Sequence, residues 1–175
     1  MHPLTPEKMK VLKGVKRKKT KQLAVIVDGP NMLRKELGTD LEEIRKLAER
    51  EGRIRLAVVV LDRKAPEKLV EAVTNAGFKP LISTGKVEVD FSIVCMEAIN
   101  DEKIDMIIMA ARSAAYMPLI HKAKESGKEV MIIGAEPGFS VALKKACDQY
   151  ILLPSSSPED LAEPEGEDEG RDGDY

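Results

Sequence analysis

The residues best suited to chemistry are a few acids, an asparagine and an arginine spread along a chain of 175 residues. Asp28 ends an uninterrupted aliphatic run, Leu23-Ala24-Val25-Ile26-Val27, and Gly29, Pro30 and Asn31 follow at once. In parallel sheets, metal-binding and catalytic carboxylates sit just beyond the carboxyl ends of buried strands, which is the place Asp28 occupies. Asp, Gly, Pro and Asn are also turn formers, so a purely turn-shaping role for Asp28 stays open on position alone. Asp90 and Glu97 lie seven residues apart in a helical stretch, close to two turns, so their carboxylates share a face. Each also fits a plainer role: Glu97 as a solvated helix acid, Asp90 as an acid near a helix start, where the dipole favours it. Arg112 opens the loop Arg112-Ser113-Ala114-Ala115, where its guanidinium could face a phosphate.

Positioning these groups falls to an alternation of strands and helices. The apolar run before Asp28 reads as a strand buried on both faces. Asn31 to Leu37 forms a short helix or turn stopped by Gly38. Thr39 or Asp40 then caps a helix carrying Leu41, Ile44, Leu47 and Ala48, which Gly52 ends. Further strands are expected over 54–61, 78–82, 105–110, 129–133 and 150–153, and helices over 65–76, 90–100, 116–125 and 137–147. Such alternation requires right-handed crossovers and a mostly parallel sheet covered on both faces. The fold class is therefore α/β, a three-layer Rossmann-like domain over residues 21–154. Its switch point lies between the loops after the first and fourth strands, which sets Asp28 and Asn31 opposite Arg112 and Ser113.

The chain is long enough for one domain with a proper core and too short for two. Aromatics are 3% of the residues and tryptophan is absent, so the core must be aliphatic. The same scarcity argues against a module that stacks RNA bases on aromatic rings. Abundant Lys and Glu with little Asn or Gln is a bias of heat-adapted proteins. Cys95 and Cys147 lie in apolar helical patterns, outside any CxxC spacing, and read as buried free thiols. With His2 and His121 they match no standard zinc spacing. Neither a membrane-length apolar stretch nor a signal core is found, so a cytoplasmic location is expected.

A net charge of −2 conceals two opposed blocks. Residues 1–20 form a basic arm carrying Lys8, Lys10, Lys13, Lys16, Arg17, Lys18 and Lys19 against Glu7. Residues 155–175 form a strongly acidic tail relieved only by Arg171. Blocks of like charge are expected to be solvated and disordered. A basic arm also suits a polyanion such as RNA, and an acidic tail could compete for the same surface.

Several enzyme classes lack their defining parts. No G-x-G-x-x-G follows the first strand, Gly85-Lys86 has no phosphate-loop spacing, and there is no G-x-S-x-G elbow. Pro30 stands where an aspartyl-phosphate phosphatase would place its second acid.

The run Val27-Asp28-Gly29-Pro30-Asn31 resembles the signature of the NYN domains, a branch of the PIN-like ribonuclease superfamily. Val87-Glu88-Val89-Asp90, Tyr116-Met117-Pro118-Leu119-Ile120 and Ser126-Gly127-Lys128-Glu129-Val130 are similar to the same family, in the same order. The stretch from Pro137-Gly138-Phe139-Ser140 to Asp148 resembles members of the LabA-like, archaeal type. The resemblance implies a PIN-like fold and a Mg²⁺ or Mn²⁺ site that cuts RNA with metal-activated water. By position, Asp28, Asn31 and Asp90 would be catalytic, and Asp28, Asp90 and Glu97 would hold metal. Glu97 is offset by one residue from the family spacing. Arg34, Arg112, Lys16, Arg17, Lys18 and Lys19 would meet RNA phosphates.

One departure cuts against this. Family members commonly carry two aspartates in the loop after the fourth strand, in a form like G/R-D-x-D-F. Here those positions are Ser113 and Ala115, and Tyr116 stands at the aromatic. Losing two charges should weaken any divalent-ion site, since ligand charge sets affinity. The expectation is an RNA-binding protein whose metal-dependent ribonuclease activity is weak or lost. The alternative is a non-catalytic protein-interaction or regulatory domain, with homo-oligomerisation open. Bound Mg or Mn would then be weak, and no membrane partner is expected.

Overall fold

The structure, a computed structural model, describes residues 18–154. Expectations for the arm before Lys18, including Lys16 and Arg17, and for the acidic tail lie outside the described residues.

Six parallel strands form one sheet in the order β3-β2-β1-β4-β5-β6. They are β1 (Gln22–Asp28), β2 (Arg53–Leu61), β3 (Lys79–Ile82), β4 (Met106–Ala110), β5 (Glu129–Ala135) and β6 (Gln149–Leu153). Strand β1 sits between β2 and β4, so both its edges are paired. Leu23, Val25 and Val27 face one core and Ala24 and Ile26 the other, which is why its sequence is apolar without alternation.

Helices α1 (Gly29–Met32), α2 (Leu41–Glu51) and α3 (Glu67–Asn75) follow β1 and β2. Helices α4 (Val87–Asn100), α5 (Met117–Glu125) and α6 (Val141–Ala146) belong to the second half. Met32, Leu41, Ile44, Ala48 and Val73 close one face of the sheet. Phe91, Val94, Cys95, Ala98, Leu119, Ile120, Ala123 and Leu143 close the other, giving the three layers. Both cysteines are buried free thiols, as their apolar settings implied. No helix of the described residues is long and apolar enough to cross a membrane.

The sheet is wholly parallel, in keeping with the mostly parallel sheet expected. Two helix boundaries differ notably from the sequence reading. Helix α4 begins at Val87, not Asp90, because Val87 joins Phe91, Val94 and Cys95 on its buried face. Helix α6 spans only Val141–Ala146, because Gly138 turns the chain at φ 90° and Ser140 caps the helix, accepting from Ala142 N at 3.2 Å.

Order 3-2-1-4-5-6 reverses between β1 and β4. The loops after these strands flank that point, with α4 the crossover between β3 and β4. Gly29 makes the first loop possible. A Cβ there would stand 2.5 Å from the Val60 carbonyl oxygen and 2.7 Å from a Leu61 methyl. Gly29→Ala should therefore lower stability by about 1–3 kcal/mol through overpacking. Urea unfolding checks this, and an unchanged midpoint would contradict it.

Candidate functional site

Asp28 is the last residue of β1 and is wholly buried, at 0% exposure. An ionised carboxylate in that position needs donors, and its own turn supplies some of them. Asn31 Nδ2 donates to Oδ2 at 2.7 Å, and Asn31 N donates to Oδ1 at 3.4 Å. Asp28 thereby caps α1 through its side chain, with Pro30 in the first turn. The third donor comes from across the switch point: Tyr116 Oη donates to Asp28 Oδ2 at 2.6 Å.

Tyr116 is buried where a 3-10 turn (Ala114–Tyr116) leads into α5. Ser113 Oγ caps that turn by accepting from Ala115 N at 3.1 Å. Phe91 of α4 packs against the Tyr116 ring at a centroid separation of 4.3 Å and a tilt of 33°. The phenol thus has little room to leave Asp28. Burial first, and then the bond to the Asp28 carboxylate, raise its pKa well above the ordinary tyrosine value.

The loops are tied together by Arg112. Its Nε donates to the Asn31 carbonyl at 2.9 Å, and its Nη1 donates to the Pro137 carbonyl. Its own carbonyl accepts from Ser140 N at 3.1 Å. Burial, followed by the neighbouring charge of Arg34, lowers the Arg112 pKa. Arg34 is exposed and its Nε donates to the Pro30 carbonyl at 3.2 Å.

Asp90 is half-buried on the first turn of α4, where it pairs with the buried Ser83 hydroxyl. Ser83 Oγ also accepts from Gly85 N at 3.2 Å, so this carboxylate braces the β3–α4 loop. Glu97 shares the Asp90 face in angle but is exposed, roughly 10 Å further along the axis. It lines an outer groove of about 580 Å³ with Val89, Ile93 and Met96. Ser113 is half-buried and Ala115 exposed. The structure thus joins Asp28, Asn31 and Arg112 in one network, with Asp90 in a second and Glu97 in neither. Tyr116 and Ser83, which hold the two aspartates, were missed in the sequence. The hint for Tyr116 was a hydroxyl at the family's aromatic position.

These residues do not fit a divalent ion. Mg²⁺ keeps several waters and takes one or two accessible carboxylates, but Asp28 is shielded from solvent and its Oδ2 already accepts two short bonds. Among the described residues, no three Asp, Glu, His or Cys side chains are grouped to hold a metal.

Tyr116→Phe should cost about 1–3 kcal/mol by leaving buried Oδ2 a donor short. Because the folded pKa of Tyr116 is raised, its contribution is complete below the unfolded tyrosine pKa of about 10. It is lost as pH climbs above that value. Denaturant unfolding across alkaline pH should show stability falling in the wild type and a shallower fall in Tyr116→Phe. Equal slopes would contradict the assignment.

The NYN domain model matches residues 22–154. An uncharacterised protein of the archaeon Methanocaldococcus jannaschii is 46% identical over 141 residues, covering 81% of this chain and 59% of the relative. The chain thus spans under two thirds of that relative's length. A protein of unknown function from Vibrio parahaemolyticus superposes with a TM-score of 0.70 at 15% identity. That match covers 80% of this chain and 97% of the other, and it bears on the fold alone. With the family signature at Asp28 and Asn31 and the sheet order described above, this chain belongs to the NYN domain family.

Proposed function

We propose that this is an RNA-binding NYN domain in which metal-dependent cleavage is weak or lost. The observation that carries the reading is the Tyr116 hydroxyl closing on buried Asp28. In a working metal site that carboxylate would face water and cation, whereas here protein donors satisfy it. Ser113 and Ala115 supply no charge across the switch point. Family membership supports RNA as the ligand class, and exposed Arg34 offers a phosphate contact beside the site. Arg112 contributes charge while its Nε and Nη1 stay on carbonyl oxygens.

Cleavage of single-stranded and structured RNA in Mn²⁺ tests this. Wild-type protein should cut little or no faster than a protein-free control, and Asp28→Asn should change that rate little. A triple variant, Ser113→Asp with Ala115→Asp and Tyr116→Phe, should gain Mn²⁺-dependent cutting. Robust wild-type cleavage abolished by Asp28→Asn would overturn the reading.

A second reading, a non-catalytic interaction domain, is favoured by the outer face of α4. Val89 is 55% and Ile93 51% exposed there, beside Met96. Exposed together on one helix face, these apolar side chains suit a second copy of the chain. On this reading the wild type runs as a dimer in light scattering and Ile93→Glu as a monomer. A monomeric wild type would remove it.

A further inference from the structure

At the amino edge of the sheet, opposite Asp28, one groove gathers positive charge. The end of α2, the start of β2 and the root of the arm enclose a groove of about 510 Å³, lined by Lys18, Lys19, Lys21, Arg50 and Arg53 with Glu49 and Glu51. Its acids already have partners: Glu49 accepts from Arg45 at 3.1 Å and Glu51 from Gln149 at 3.2 Å. Lys21 pairs with Glu129 at 2.6 Å. Among the described residues, Lys18, Lys19, Arg50 and Arg53 make no ion pair.

The groove has a fixed floor. Arg53 N donates to the Lys21 carbonyl at 2.8 Å, and Gly52 packs so close to that carbonyl that a Cβ would collide with it. Strand β2 pairs with β3 only from Val58 onward, so Arg53 to Ala57 have an open outer edge. Within that overhang the register against β1 jumps from Ile54 to Leu56, leaving Arg55 as an exposed bulge residue. Bulges re-aim side chains, and here the re-aimed side chain is another cation.

Simpler causes account for part of this. The negative end of the α2 dipole favours Arg50, and one charge on an open strand edge discourages aggregation. Neither explains Lys18, Lys19, Arg53 and Arg55 gathered at the same edge.

We propose that this groove is an RNA-contacting surface on the sheet edge opposite Asp28, gripping the sugar–phosphate backbone of a single strand. The proposal rests on the RNA-binding reading above and places the main contact away from the family's ancestral site. Among the described residues no aromatic side chain lines the groove, so phosphates rather than bases are held and sequence preference is weak. RNA gripped there lies remote from Asp28, in keeping with binding uncoupled from cleavage.

Fluorescence anisotropy of a labelled oligouridylate with the full chain, across a salt series, tests this. Arg50→Ala/Arg53→Ala and Lys18→Ala/Lys19→Ala should each weaken binding about tenfold at low salt. Each should also flatten the logarithmic salt slope by about 1.4, since a single-strand phosphate contact contributes about 0.7. Arg50→Lys/Arg53→Lys should keep the wild-type slope. Double alanine variants that bind like the wild type, while Arg34→Ala weakens binding, would overturn this proposal and leave the RNA-binding reading intact. A wild type that binds no RNA at low salt would overturn both.

Discussion

A carboxylate sealed inside a protein must be matched by donors, by a cation or by a proton, and that constraint governs this structure. Asp28 ends the central strand with no exposed surface. Its donors come from two places far apart in sequence: Asn31 in its own turn and Tyr116, 88 residues on. Bringing Tyr116 there fixes the β4–α5 connection, and stacking Phe91 on the phenol fixes α4 over it. Arg112 then binds the β1 and β5 loops to the same place. One buried charge thus ties together the loops after β1, β4 and β5.

On the proposed reading, the same geometry lets a nuclease-type site lose its acids and keep its shape. Ser113 caps the turn after β4 as an aspartate would, because serine and aspartate are near-equivalent caps. On that reading the loop keeps its path while the charge goes. Tyr116 donates to Asp28 through its hydroxyl, a bond that a phenylalanine at this position could not make. A cation site and a hydrogen-bonded knot are alternative answers to one buried charge, and here the knot is made.

The fold was largely legible because its signals are local. Apolar runs marked the strands, and Gly38 and Gly52 marked helix ends or turns. The boundaries misjudged were those where local and tertiary preferences disagree. Val87-Glu88-Val89 alternates as a strand would, yet Val87 is drawn into the core as the first residue of α4. Site residues were harder. Seven-residue spacing puts Asp90 and Glu97 on one helical face but also roughly 10 Å apart along the axis, which leaves Glu97 exposed and out of the Asp90 network. The partnership of Tyr116 with Asp28 spans half the chain, and no local pattern encodes a hydrogen bond of that range. Arg112 was readable as a cation near the switch point, but not as a tie between loops.

Diffraction from a crystal of the full chain soaked in Mn²⁺ addresses the central claim most directly, because anomalous scattering locates the ion itself. The account predicts no manganese peak beside Asp28 and an intact Tyr116–Asp28 hydrogen bond. A peak bridging Asp28 and Asp90, with the Tyr116 hydroxyl displaced, would contradict it.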